Sequence, residues 1–377
     1  MKNYHPNKIL ILSTEFPPGP GGIGNHAWNL AKSLNTKVDV EVLTVSDYAD
    51  NIDCKTFDKL EKFKITRFKR NSFSPFTYIH RIIKLIFTIR QNNYSYCILS
   101  GYFSLIVTSI ICIINKDIIK VGVLHGSELI QQNLLQKLLL NSGLKKLDVI
   151  ISVSNFTNQL IPIKILQNQK RFIIPNGVNE NLLTLKSVRI NPIKLEGYPC
   201  LLTVGSITER KGQTNLLKAL PTIQTKYPNV HYHCVGLPIE KEKLLKEVNK
   251  LKMNNFVTIH GVIGNNQLSN IYKQADILVM LSGNKNGSCV EGFGIAILEA
   301  NLFGVPALGS KNTGIEDAIV NKKTGILADP FSINEIIDGI DLILQKRDEY
   351  SKNLINWALE HSWSNISNQY LKAIINA

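Results

Sequence analysis

The sequence predicts an α/β chain built from two doubly wound, Rossmann-like domains, on three observations. Short apolar runs alternate with helical lengths through nearly all of its 377 residues, the pattern of parallel strands buried on both faces. The alternation occurs twice, interrupted by a polar stretch that contains Asn191-Pro192 and Gly197-Tyr198-Pro199. Glycine-rich loops follow several strands, at the sheet edge where open α/β folds bind ligands.

Lys8–Ser13 reads as the first buried strand, and residues 14–24 as a loop, because glycine and proline fill most of it. A helix is expected from near Asn25 to about Leu34, then a strand over 38–45 and a helix over 76–90. Strands follow over 96–100, 119–124 and 149–153. Residues 97–114 carry almost no charge and are nearly long enough to span a bilayer. Gly101 breaks the run, so a strand ending near Ser100 and a buried helix from Ser104 account for it better.

Residues 180–198 read as a linker, giving an N-terminal domain over 1–185 and a C-terminal domain over 186–363. The second set of strands is expected over 200–205, 231–235, 257–260, 277–281 and 305–308, with helices such as 213–226 and 241–252 between them. From Asp348 the tail is helical in pattern, with a break near His361-Ser362-Trp363.

A hydrophobic share of 44% against 19% charged residues describes a globular chain with a sizeable core. The six cysteines are scattered, mostly in apolar runs, without C-x-x-C or paired-histidine spacing. They are expected to be buried thiols in a reducing compartment, with no metal site. The polar start Met1-Lys2-Asn3-Tyr4-His5-Pro6 leads straight into a strand, so no signal peptide is expected. Of the net charge of +14, residues 1–180 supply 22 Lys/Arg against 12 Asp/Glu, which is +10. Residues 59–90 concentrate it, with nine cations, one acid (Glu61) and interleaved Phe and Tyr. Such a face suits nucleic acid, anionic lipid or a phosphorylated acceptor, or is simply solvated.

The chemistry centres on EGFGIAILE over residues 291–299, which follows a buried strand and a polar loop. A helix opening near Gly294 leaves the N–H groups of Phe293, Gly294 and Ile295 at its first turn, where an anion is favoured. Glu291 precedes that helix and Glu299 lies more than a turn inside it, so the two carboxylates cannot share one proton and must do different jobs.

This run resembles the E-x7-E motif of retaining family 4 glycosyltransferases of the GT-B fold, and the resemblance covers nearly the whole chain. It implies that Glu291 faces a donor sugar, that Glu299 holds the nucleotide ribose and that the intervening amides bind the diphosphate. It also implies that the two domains face each other across a cleft and that the last helix, about 364–377, packs back on the first domain.

Four further motifs resemble the same family. GPGGIG over residues 19–24 satisfies the dinucleotide fingerprint G-x-G-x-x-G, but the preceding loop is long and only Asp47 offers itself as the distal acid. It also resembles the family's P-P-x-x-G-G-x-G loop, which would place the Gly22 amide against a donor phosphate. HGSE over 125–128 resembles H-G-x-[DE], implying His125 near the donor sugar and Glu128 as its structural partner. In PNGVN over 175–179, Gly177 is expected at positive φ and Asn176 as the residue holding the turn. In VGSITERKG over 204–212, Arg210 and Lys211 can neutralise a diphosphate, with Ser206 where family members often carry Arg.

Together these imply a retaining, metal-independent transferase with no bound cofactor. A UDP-, GDP- or ADP-sugar is the donor and a glycan or lipid-linked molecule the acceptor. A cytoplasmic location is expected, with the basic, aromatic-rich stretch over 59–90 bringing the N-terminal domain to an anionic membrane face and with no nucleic-acid partner. An NAD-dependent oxidoreductase, a GT-B sugar-nucleotide epimerase and a non-catalytic sugar-binding relative stay open as rivals.

Overall fold

A computed structural model describes residues 8–46, 51–68, 74–130, 132–165, 169–184, 193–283 and 291–376. The chain forms two compact units, Met1–Gly177 with Trp363–Ala377, and Val178–Ser362.

The first unit opens with β1 (Lys8–Ser13), α1 (Gly22–Leu34), β2 (Asp39–Val45), α2 (Asn51–Leu60) and β3 (Lys64–Phe68). It continues with α3 (Ser74–Gln91), β4 (Tyr96–Ser100), α4 (Tyr102–Ile106), α5 (Thr108–Ile114) and β5 (Ile119–Leu124). Then come α6 (Ser127–Ile130), α7 (Leu134–Leu144), β6 (Val149–Ser152), α8 (Asn155–Gln159) and β7 (Lys170–Ile173). The seven strands form one parallel sheet in the order β3-β2-β1-β4-β5-β6-β7. The apolar strand β1 lies inside the sheet between β2 and the middle strand β4, in register Leu10 with Glu41 on one side and with Cys97 on the other. Glu41 is buried yet ionised: Lys64 lies 2.8 Å away, Lys8 3.3 Å, and the Tyr94 hydroxyl donates to it at 2.8 Å. Burial pushes that carboxyl up, and these three partners bring it below the ordinary value.

The second unit holds β8 (Cys200–Val204), α9 (Gln213–Lys226), β9 (His231–Val235), α10 (Lys241–Lys250), β10 (Val257–Gly261) and α11 (Asn265–Gln274). It ends with β11 (Ile277–Met280), α12 (Ile295–Leu302), β12 (Ala307–Ser310), β13 (Gly325–Ala328), α13 (Ile333–Gln345) and α14 (Arg347–Glu360). Its parallel sheet runs β10-β9-β8-β11-β12-β13. Residues 178–184, assigned to the N-terminal domain on sequence, pack with this unit: the Val178 N–H donates to His361 O at 2.8 Å, and Leu182 O accepts from Ser269.

The last helix, α15 (Trp363–Ile375), packs on α1 within the first unit. Ser33 donates to Trp363 O at 2.9 Å, and Lys37 reaches Asn368 at 2.8 Å. Gly177 is glycine because of this helix. Its φ is not positive, contrary to expectation; a Cβ there would sit 2.5 Å from the Trp363 ring. The Asn176 side-chain oxygen, expected to hold the turn, is buried and finds no donor among the described residues.

Three strands escaped the sequence reading. β3 and β7 are edge strands whose charged residues, Lys64, Arg67, Lys170 and Arg171, mask the apolar pattern, and β13 is a short GILA segment led by glycine. α1 also starts three residues earlier than expected, so Gly22 is its first residue. Residues 97–114 form β4, α4 and α5, and among the described residues no helix is long and apolar enough to cross a membrane.

Candidate active site

In each sheet the strand order reverses beside the first strand, and the loops leaving the two central strands diverge there to open a crevice. In the second unit these strands are β8 and β11. Beyond β8, the segment of residues 205–212 turns through a short 3-10 helix, Glu209–Lys211, and ends at Gly212. Gly212 has φ 79°, and a Cβ would lie 1.9 Å from Leu281 O, so glycine alone lets this turn close onto the end of β11. Asn215 fastens the same point, donating to Leu281 O at 2.9 Å and Gly283 O at 3.2 Å.

Ser282 joins the two loops. Its hydroxyl donates to Arg210 O at 2.5 Å and accepts the Glu291 N–H at 2.8 Å. Glu291 is thereby presented to both cations: Arg210 donates to its Oε2, and Lys211 Nζ lies 3.0 Å from the same oxygen. Burial pushes the Glu291 carboxyl up, but Lys211 and Arg210 outweigh it and hold the group below the ordinary carboxylate range. Gly314 supports the segment from behind. Its N–H donates to Glu291 O at 3.0 Å, and its missing side chain leaves room for Gly292 O.

Gly294, in the left-handed region at φ 95°, caps α12 with no side-chain partner. The N–H groups of Phe293, Gly294 and Ile295 make no hydrogen bond among the described residues, and they stand at the positive end of the helix, where an anion is favoured. α12 is apolar almost all round, and Glu299 is its one acid. The buried Tyr272 on α11 donates to Glu299 Oε2 at 2.7 Å. Burial raises the Glu299 carboxyl, opposed by Tyr272 and by the charge of Lys211. Lys211 is thus the neighbour common to both acids.

In the first unit the corresponding strands are β1 and β4, with β5 next. His125 follows β5 and meets Ser100 at the end of β4, Nε2 to Oγ 3.0 Å. Its N–H donates to Glu128 at 2.7 Å, and burial drives the ring down to about 4, keeping it neutral. His26 of α1 lies edge-to-face on His125 at 4.8 Å and meets the Tyr370 hydroxyl of α15 at 3.2 Å. Gly22 faces open space, and Gly24 lets α1 close onto the backbone of Phe16.

The motif residues therefore fall into two groups: Arg210, Lys211, Glu291 and Glu299 around the start of α12, and Gly22 and His125 at the edge of the first sheet. Tyr272, Ser282 and His26 were missed, because each acts through a contact that no local pattern encodes. Asp47, Cys289 and most of the loop before Glu291 lie outside the described residues.

The family model described as Glycosyltransferase Family 4 matches residues 20–182, and that described as Glycosyl transferases group 1 matches residues 188–361. The chain belongs to the group 1, family 4 glycosyltransferases. It is 29% identical over 156 residues to a GDP-mannose-dependent alpha-(1-6)-phosphatidylinositol monomannoside mannosyltransferase of Mycobacterium tuberculosis, covering 41% of this chain and 40% of that protein. The match therefore spans about two-fifths of that relative's length. A Corynebacterium glutamicum enzyme, GDP-mannose-dependent monoacylated alpha-(1-6)-phosphatidylinositol monomannoside mannosyltransferase, is 22% identical over 341 residues, 87% of this chain and 86% of the other. Among solved structures, Anabaena Alr3699/HepE in complex with UDP-glucose superposes with TM-score 0.77 at 18% identity, covering 99% of this chain and 100% of that one. Sucrose-phosphate synthase from Thermosynechococcus elongatus gives TM-score 0.75 at 19% identity, covering 97% and 98%. The family's fold is GT-B, and the two Rossmann-like units are its two domains.

The basic stretch divides. Lys64 is held by Glu41, and Arg67 turns inward, paired with Asp58 at 2.8 Å and lying over the Phe16 ring. Arg81 is buried against Tyr78 and Phe103. Lys69, Arg70 and Phe73 lie outside the described residues.

Proposed function

We propose that this chain is a retaining, metal-independent glycosyltransferase that moves a sugar from a nucleotide sugar to a glycan or lipid-linked acceptor in cell-surface polysaccharide or glycolipid synthesis. The observation that carries this reading is the convergence of Arg210 and Lys211 on Glu291 beside the open N-terminus of α12.

A diphosphate seated on the amides of Phe293, Gly294 and Ile295 would draw Arg210 and Lys211 away from Glu291, freeing that carboxylate to face the sugar. Glu299 would take the ribose hydroxyls, and the family resemblance supports Gly22 and His125 as further donor contacts. The C1–O bond to the phosphate breaks while the acceptor oxygen bonds to C1 from the same face. The acceptor proton passes to a donor phosphate oxygen, so no protein nucleophile is needed. Negative charge grows on the departing diphosphate, where Lys211, Arg210 and the helix amides stabilise it.

The Anabaena structure is a complex with UDP-glucose and the mycobacterial relative is GDP-mannose-dependent, which supports a nucleotide-sugar donor. Acceptors built on phosphatidylinositol in the relatives' names, with the cationic excess of the N-terminal half, support a lipid-linked acceptor and contact with the anionic cytoplasmic face of a membrane. Nucleic acid is not a proposed partner.

Thermal shift with UDP, GDP, ADP and NAD tests the donor class. Stabilisation by one nucleoside diphosphate, followed by turnover of its sugar derivative with retained anomeric configuration, is expected. Stabilisation by NAD alone, or release of an inverted glycoside, would overturn the reading.

A further inference from the structure

We propose that the first unit docks on an anionic bilayer through one face, formed by the outward sides of α3, α5 and α7. This deepens the reading of a lipid-linked acceptor and rests on it, but assigns the contact to a different surface from the basic segment that precedes α3.

The three helices lie side by side: α5 contacts both α3 and α7, and their inner sides share the core of Leu85, Ile89, Ile111, Leu140 and Leu144. Their outer sides carry large apolar residues that face water. On α7, Leu134 is 76%, Leu135 66% and Leu138 58% exposed, and Leu139 extends the row. On α3, Ile79, Ile83 and Phe87 recur every four residues along one exposed stripe, and on α5 Ile113 stands out at 82%. α7 is a well-formed helix, since Asn133 and Gln136 close a reciprocal cap at 2.9 and 3.1 Å. Its leucines are therefore held outward by a fixed backbone. So many exposed large apolar side chains on three neighbouring helices mark an interaction site.

Charge identifies the partner. α3, α4, α5 and α7 contain no Asp or Glu, while α3 and α7 carry Lys84, Arg90 and Lys137. Where α5 and α7 end, at the amino edge of β5, β6 and β7, a recess is lined by Lys116, Lys120, Lys145, Lys146 and Lys170. Asp148 pairs with Lys120 there at 2.9 Å. A second copy of this chain would bring cations against cations on such a face. Apolar side chains at the acyl boundary, with lysines among phosphate headgroups, satisfy both features.

The test is flotation of the full chain with vesicles of phosphatidylglycerol and phosphatidylcholine at 3:7, at low and high salt. The double variant Leu135→Gln/Leu138→Gln and the triple variant Lys137→Gln/Lys145→Gln/Lys146→Gln are expected to lose at least tenfold of the bound fraction. Lys59→Gln/Lys62→Gln should bind like the parent. Nucleoside-diphosphate stabilisation, measured on every variant, confirms folding and reads the transferase proposal separately. No flotation of the parent, unchanged flotation of the leucine variant, or loss confined to Lys59→Gln/Lys62→Gln would overturn the proposal. So would a dimer that the leucine variant converts to monomer without any vesicle binding.

Discussion

Lys211 stands within reach of Glu291 and acts electrostatically on Glu299, so its loss should be felt where charge changes during the reaction. Lys211→Ala is expected to lower kcat by about 100-fold or more with a smaller change in donor affinity; an unchanged kcat with only a raised KM would contradict the role. The two acids should separate in calorimetry with the free nucleoside diphosphate. Glu299→Gln removes a ribose acceptor and should weaken binding by about tenfold, a hydrogen bond to a charged group. Glu291→Gln releases Arg210 and Lys211 from their ion pairs, so the diphosphate should bind as tightly or more tightly. Equal losses in both variants would sink this division. Tyr272→Phe removes a hydrogen bond that lowers the Glu299 carboxyl, so the carboxyl titrates at higher pH and the pH above which nucleotide binds well should move upward. At this scale the acids and cations were legible, because helix entry and flanking charge are local properties of sequence. Tyr272 was not, since it reaches Glu299 from another helix 27 residues away, and Gly177 was read as a turn residue when a ring from the far end of the chain decides it.

Several strands were legible because burial on both faces leaves a short run with little or no charge. β1, β4, β5 and β9 stood out as apolar runs or hydrophobic lengths with both faces covered, and their bounds match the reading. Edge strands β3 and β7 are partly open to solvent and carry charge, so nothing in their composition distinguished them from loop. The turns that aim the site depend on glycine for two separable reasons. Gly212 combines a left-handed φ of 79° with a close approach to Leu281 O, whereas Gly304 has a φ of 74° and nothing within 4 Å of a Cβ. Gly304→Ala should therefore cost only the backbone term, about 1–2 kcal/mol. Gly212→Ala should exceed it by a further 1–3 kcal/mol for the overlap, and should also weaken nucleoside-diphosphate binding by displacing Arg210 and Lys211. Chemical denaturation of both variants measures the difference; equal destabilisation would show that the close approach at Gly212 relaxes without cost.

For the molecule as a whole, histidine burial sets an acid limit that composition alone did not reveal. His26, His125, His231, His233, His260 and His361 all have imidazoles lowered from their ordinary value, in each case chiefly by burial. His231 and His233 stack at 4.5 Å, and His233 meets His260 at 3.1 Å, so a charge on one further disfavours a charge on the next. The sign follows from linkage: below about pH 6.5 the unfolded chain binds protons that the folded chain refuses. Stability is then lost as pH falls, until each folded imidazole titrates, about 4 for His125. Each group contributes at most about 1.4 kcal/mol per pH unit across its window. The depressed carboxyls of Glu41 and Glu291 act later, since their stabilisation is lost only as pH falls below the ordinary carboxylate range. Between pH 7 and 5 the Tm should therefore drop steadily, and His233→Gln should flatten the slope. The growing positive charge on a chain already at +14 pushes the same way, but that repulsion is screened by salt and burial is not. A fall in Tm that persists at 0.5 M salt, an ionic strength giving a Debye length of roughly 4 Å, identifies the imidazoles; a fall abolished by salt, or a Tm constant from pH 7 to 5, would assign the acid limit to charge repulsion or remove it.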